Sequence, residues 1–274
     1  MKKSIVSLLS ITVVLFSMTS CGGKKAKEDA AKTEEAAVIA GNISKSLLTE
    51  ELKTETILLL NDMPGSDIPH RIATGEVTVG VDNKYMLPVG KAADFTTTSQ
   101  KARACGMYFS DYNVLSVTNR PTTEVEAALA KLTTDLNISY VLNILKEAAP
   151  QNATSEQMQA FFKAQEEKLV KALADDDKLN YAVEILGGVT AEYACMYANP
   201  TLVVKGDATS AGLSENMEKR VETLGEITTD LSAYYPELKS LGESLTPLKE
   251  KVTTYTAARE ANAEITAIRD GLLK

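Results

Sequence analysis

From Thr96 onward, apolar residues recur at three- and four-residue steps, the spacing that lays a single stripe along an α-helix. Ala102, Cys105, Phe109 and Tyr112 form the first such stripe, behind a Thr and Ser cluster suited to capping a helix start. Val125, Ala128, Leu129, Leu132 and Leu136 form the next, with Pro121 placed for a first helical turn. After a break at Asn137 the pattern continues through Ile138, Val141, Leu142 and Leu145 and closes at Pro150. Thr154 and Gln157 have the spacing of a capping box for a helix bearing Met158, Phe161, Phe162, Leu169 and Leu173. Asp175, Asp176 and Asp177 then mark a turn and a negatively charged helix start, solvated rather than gathered around calcium.

The following helix carries Leu179, Ala182, Val183, Leu186, Val189, Tyr193 and Met196 and stops at Asn199 and Pro200. Gly187 and Gly188 in its middle each cost about 1 kcal/mol relative to alanine, which predicts close approach to a neighbouring backbone or a kink. Two further stripes, Leu213 to Tyr234 and Leu238 to Tyr255, predict an antiparallel helical hairpin joined at Tyr235 and Pro236, with Pro247 kinking or splitting its second arm.

Upstream, Leu47, Leu48, Leu52, Ile57 and Leu60 predict a helix that ends before Met63, Pro64 and Gly65. The stretch from there to Phe95 reads differently. Val77, Val79 and Val81 alternate with smaller residues, Asp82 and Asn83 offer a turn, and Tyr85, Met86 and Leu87 follow, the pattern of a short β-hairpin. The expected fold is therefore all-α: one multi-helix, bundle-like domain over residues 41–274, of roughly seven or eight helices, with one irregular insertion holding a short hairpin.

The amino end has another character. Lys2 and Lys3 precede an apolar run from Ile5 to Phe16 that is shorter than the roughly 20 residues needed to span a bilayer and fits a secretory leader. Met18, Thr19, Ser20 and Cys21, followed by Gly22 and Gly23, resemble the lipobox cut by lipoprotein signal peptidase ahead of an acylated cysteine. Residues 1–20 are then a signal peptide and residues 21–40 an acylated tether, with Cys21 the lipidation site. Loss of Lys2 and Lys3 takes the net charge from −8 to −10, and the tether's four lysines balance its four carboxylates, so the excess negative charge lies on the folded body. Such a body should avoid nucleic acid and anionic headgroups, leaving the acyl chains as its contact with the membrane. Gly22 does not resemble the aspartate that retains enteric lipoproteins at the inner membrane, which favours the outer membrane. Lys24 and Lys25 differ from the acidic run of a surface-export signal, which favours the periplasmic face over surface exposure.

Composition narrows the chemistry. The chain is 44% hydrophobic and 24% charged, as a soluble globular domain is, with a single histidine, His70, inside the irregular insertion. It contains no Gly-x-Gly-x-x-Gly, Walker A, Gly-x-Ser-x-Gly or paired-histidine motif, so no catalytic residue, metal site or cofactor is assigned. Cys105 and Cys195 sit in similar settings, Ala-Cys-Gly-Met-Tyr and Ala-Cys-Met-Tyr. They are expected to be two buried thiols, with a disulfide between them as the alternative. Asp111 lies among Tyr108, Phe109, Tyr112, Val114 and Leu115, where a carboxylate needs a donor: it is expected to be an interhelical polar lock, with ligand contact as the alternative.

Gly106, Met107, Tyr108, Phe109, Ser110 and Asp111 resemble a Gly-x-Tyr-x-x-Asp helix of uncharacterised all-helical lipoproteins of Bacteroidota. Asn119, the Lys131 to Ile138 stretch and the Gly187, Gly188 pair resemble further features of that family. Val189 departs from its frequent tryptophan, and the Pro64 to Phe95 region is only loosely similar. The resemblance implies a helical, lipid-anchored protein and no particular activity. The function expected is a non-enzymatic interaction or scaffold module of the envelope with a protein partner. The alternative is a binding protein holding a small or apolar ligand between helices near Tyr108, Asp111, Gly187 and Gly188.

Overall fold

The computed structural model describes residues 48–80 and 85–274. The leader, Cys21, the tether and the proposed turn at Asp82 and Asn83 lie outside the described residues. The helices are α1 (Glu50–Asp62), α2 (Asp67–Ala73), α3 (Thr98–Val117), α4 (Thr123–Asp135), α5 (Leu142–Leu145), α6 (Ser155–Asp175) and α7 (Leu179–Ala198). They continue as α8 (Asp207–Leu231), α9 (Glu237–Leu245), α10 (Leu248–Lys251), α11 (Tyr255–Glu260) and α12 (Asn262–Gly271). The fold is all-α. Its helix count among the described residues exceeds seven or eight because the chain breaks more often than the stripes suggest. Pro247 divides α9 from α10, and the Thr254 hydroxyl accepts from Ala257 to start α11 afresh.

Local chemistry explains the long helices. Thr97 with Gln100 and Thr154 with Gln157 form complete capping boxes at the starts of α3 and α6. Asn119, Asn137 and Asp177 adopt φ of 53°, 55° and 52°, the left-handed conformation that ends a helix, just past α3, α4 and α6. Asp175 closes α6 and the other two aspartates form the turn, so the acidic run ends one helix instead of starting the next. Each has its own lysine: Asp175 with Lys171 at 2.8 Å, Asp176 with Lys178 at 2.6 Å and Asp177 with Lys53 at 3.0 Å.

Helix α7 is the axis of the core. All its residues but Tyr181 are buried, as an all-round apolar sequence requires. Helix α3, buried without a gap from Ala102 to Leu115, crosses it with backbones in contact. A Cβ on Gly106 would lie 2.8 Å from the Ile185 carbonyl carbon and 2.9 Å from Val189 N; one on Gly188 would lie 2.9 Å from the Arg103 carbonyl carbon. Side-chain pairs on both sides of this crossing, Arg103 with Glu184 and Asp111 with Glu192, show that the two helices run in the same sense. Helices α8 and α9 form the predicted hairpin, close enough at Gly242 that a Cβ there would lie 3.1 Å from Thr228 Cβ.

The insertion corrects two expectations. Val77 and Thr78 pair antiparallel with Val204 and Val203, far away in sequence, so the strand does not belong to a local hairpin, and Tyr85, Met86 and Leu87 are not in a strand. The partner run, Leu202 to Val204, is bounded by Pro200 and Gly206, breakers that separate it from α7 and α8. His70 lies in α2, not in irregular chain, buried with Nδ1 2.8 Å from Asp67 Oδ1. Among the described residues no helix is long and apolar enough to cross a membrane.

Candidate functional site

Three arginines carry buried ion pairs onto the central helices. Arg103 of α3 donates through Nε to Glu184 of α7 at 2.5 Å, and through its other nitrogens to Ser240 Oγ at 3.0 Å and the carbonyls of Glu237 and Leu272 at 3.3 Å. Arg220 of α8 donates to Glu166 of α6 at 2.9 Å, to the Pro64 carbonyl at 2.6 Å and to Thr190 Oγ1 of α7 at 3.2 Å, while Ser66 donates to the other oxygen of Glu166. Arg269 of α12 donates to both carboxylate oxygens of Glu192 at 3.1 and 3.3 Å and to the Tyr85 carbonyl at 3.1 Å. Each pair joins segments distant in sequence, and a buried guanidinium can do this because its planar fork serves several acceptors at once.

Asp111 belongs to the third of these clusters. It is fully buried, and its Oδ2 accepts from the Leu87 backbone amide at 3.2 Å. Its Oδ1 has no donor among the described residues; the Asp111 and Glu192 carboxyls lie within hydrogen-bonding reach of each other, and as both are acceptors when ionised, a bond between them needs a proton held by the pair. Burial, reinforced by the Glu192 charge, raises the Asp111 carboxyl well above the usual range. Burial likewise pushes Glu192 up to about 7, against the pull of Arg269. The donor expected from another helix is thus a backbone amide of a non-helical segment, and the charged neighbour is a second carboxylate. Tyr108, one turn earlier, donates to the Pro88 carbonyl at 2.9 Å, so both residues bind Leu87–Pro88.

That arrangement has a pH signature. Because the folded pair binds protons more tightly than free carboxylates, its contribution to stability is complete below about pH 4 and lost as pH rises, the Glu192 part through about 7 and the Asp111 part, which keeps the shared proton, after it. Glu184, raised by burial despite Arg103, has the same sign. Asp67 is lowered: burial opposes its charge, but hydrogen bonds from His70 and Arg71 outweigh that, so its contribution is lost only on acidification. The thermal midpoint is therefore expected to fall from about pH 5.5 to about pH 8, and Asp111→Asn, whose amide supplies the missing donor, should flatten that fall. An equal slope in wild type and variant would show that the pair does not share a proton.

The sequence candidates do not converge on one cavity. Gly188 meets α3, whereas a Cβ on Gly187 would lie 2.8 Å from Leu241 Cδ1 of α9; α7 runs unbroken through both, so close approach is what the glycines permit. Cys105 and Cys195 are buried and not bonded to each other, with Cys195 Sγ 3.5 Å from Thr266 Oγ1. Burial pushes the Cys105 thiol up to about 12 and the Cys195 thiol up to about 11, so neither is a nucleophile at neutral pH. In a Cys21→Ser variant, alkylation after denaturation without reductant is expected to label both; labelling of neither would reveal a bridge. Arg103, Arg220, Arg269, Glu166, Glu184 and Glu192 were not singled out from sequence. The available signal was Glu184 and Glu192 as the lone charges in an otherwise apolar helix.

An apolar-walled cavity lies elsewhere, a groove of about 910 Å³. Met86, Leu87, Pro88 and Val89 form one wall; Leu115 of α3, Arg120 just beyond that helix, and Pro121, Thr123, Glu124 and Val125 around the start of α4 form the other. Arg120 reaches across its edge, donating to the Gly80 carbonyl at 2.9 Å and to the Tyr85 hydroxyl at 3.1 Å. Asp111 and Tyr108 hold this groove's first wall from behind. Comparison with known proteins finds no family model, no curated protein and no solved structure that matches the chain.

Proposed function

We propose that this protein is a lipoprotein anchored by acyl chains on Cys21 to the periplasmic face of the outer membrane, and that its helical body is a non-enzymatic binding module of the envelope. The leader from Lys2 to Cys21 and the likeness of Gly106–Asp111 to helical lipoproteins of Bacteroidota support the anchoring. The groove carries the binding role: it is apolar and open, while the buried carboxylates of Glu166, Glu184 and Glu192 are engaged by arginines of the same chain. Among the described residues the exposed large apolar side chains, Leu58, Tyr140 and Val203, lie on separate elements and form no rival patch.

The partner in this reading is an envelope protein segment lying in the groove. A small apolar ligand is the second reading, favoured by a volume of about 910 Å³, within the range of pockets that enclose small molecules. Native purification from mild detergent, with mass spectrometry of both protein and extracted lipid, separates the two. A protein retained by the wild type and lost from Val89→Glu supports the first, and a small molecule with that behaviour supports the second. For the anchor, Cys21→Ala is expected to abolish fatty-acid labelling and release the protein from membranes; continued labelling would sink the assignment.

A further inference from the structure

We propose that Asp111 and Glu192 form a proton-operated latch: while the pair holds a proton it keeps Tyr85–Pro88 docked on the core, and loss of that proton releases the segment. Two fully buried carboxylates face one guanidinium, Arg269, so without a shared proton one negative charge remains uncompensated in the interior. The described elements around the pair supply the following charged and titratable groups. Helix α3 supplies Asp111 and Tyr108, and α7 supplies Glu192 and Cys195, whose thiol burial keeps protonated. Helix α12 supplies Arg269 and Asp270, the latter on Arg269 Nε at 3.0 Å and adding further negative charge. The segment after residue 84 supplies the Tyr85 carbonyl, the Leu87 amide and, further along, Asp94, whose charge acts on Tyr108.

The segment is the element that yields. Helices α3 and α7 cannot part without breaking the backbone contact at Gly106 and Gly188. Helix α12 is held by the Glu192 pair that ionisation strengthens. Among the described residues Tyr85–Pro88 is the non-helical segment that touches the cluster; its hydrogen bonds with Asp111, Arg269 and Tyr108 lie at the pair, and the Arg120 bond to the Tyr85 hydroxyl ties it further at the groove's edge. Its release admits water to the carboxylates and reshapes the groove it walls. The inference does not depend on what the groove binds.

Hydrogen exchange of the full-length protein tests it, with rates corrected for intrinsic base catalysis. Between about pH 5.5 and about pH 10, protection of the Leu87 amide is expected to fall by roughly tenfold or more once Asp111, the last of the pair to ionise, gives up its proton, while the α7 amides of Leu186 and Val189 keep theirs. Asp111→Asn should hold Leu87 protected at both pH values, because its carbonyl accepts from Leu87 and its amide donates to Glu192. Glu192→Gln, which donates in the opposite direction, is the second variant should the first not fold. Unchanged Leu87 protection in the wild type, an equal fall in whichever variant folds, or a parallel loss in α7 would overturn the latch.

Discussion

Gly188→Ala is expected to destabilise the protein by about 3 kcal/mol, the upper part of the range for overpacking a core, although alanine is the better helix former by about 1 kcal/mol. The added methyl would meet the Arg103 carbonyl of α3, a backbone group that no rotamer change can move, so the helices must separate and lose contact along the whole crossing. Gly106→Ala meets the Ile185 carbonyl from the other side and should cost a similar amount. Since either methyl forces the same separation, the double variant should cost less than the sum of the two, coupling them as neighbours are coupled. Gly225→Ala in α8, where a Cβ would meet nothing within 4 Å, is the contrast and should stabilise by up to about 1 kcal/mol. Urea unfolding of the four variants reads all of this. A neutral Gly188→Ala would mean that the two backbones are not in contact.

The Gly187, Gly188 pair was legible because glycine in mid-helix is expensive and so announces a reason. The caps at Thr97 and Thr154, the turn past Asn137, the α8–α9 hairpin and the break at Pro247 were legible for the same kind of reason: each is set by residues within a few positions of one another. The pairing of Val77 with Val204 was not, since two residues of strand carry almost no period and their partner lies beyond α7. Nor were the buried ion pairs. Asp111 announced itself by its apolar surroundings, but Glu166 and Arg220 each sit in helices with many exposed charges, and only the three-dimensional crossing of α6 and α8 distinguishes them from their solvated neighbours. The groove was illegible for a related reason: its walls come from a non-helical segment and a helix junction, neither of which has a stripe to read.

Glu166→Leu is expected to cost about 3 to 5 kcal/mol, because it leaves the Arg220 guanidinium charged in the core without its carboxylate. Arg220 is 1% exposed, so water cannot replace the lost partner without local opening. Ser66 loses its acceptor as well, and with it the tie between the start of α2 and α6. Arg220→Met should be nearly as damaging: Glu166 keeps only the Ser66 hydroxyl, and the Pro64 carbonyl and Thr190 hydroxyl lose a donor. The combined Glu166→Leu, Arg220→Met variant removes both charges and replaces them with apolar side chains of comparable size, so its cost should fall well below either single change. What remains is the unpaired Pro64 carbonyl and the Ser66 hydroxyl, roughly 1 to 3 kcal/mol together. Denaturant unfolding at fixed pH gives the four corners of the cycle. If the double variant instead loses as much as the two single changes added, the pair stabilises the fold through its shape and its other hydrogen bonds, and mutual charge compensation is not what makes each single change costly.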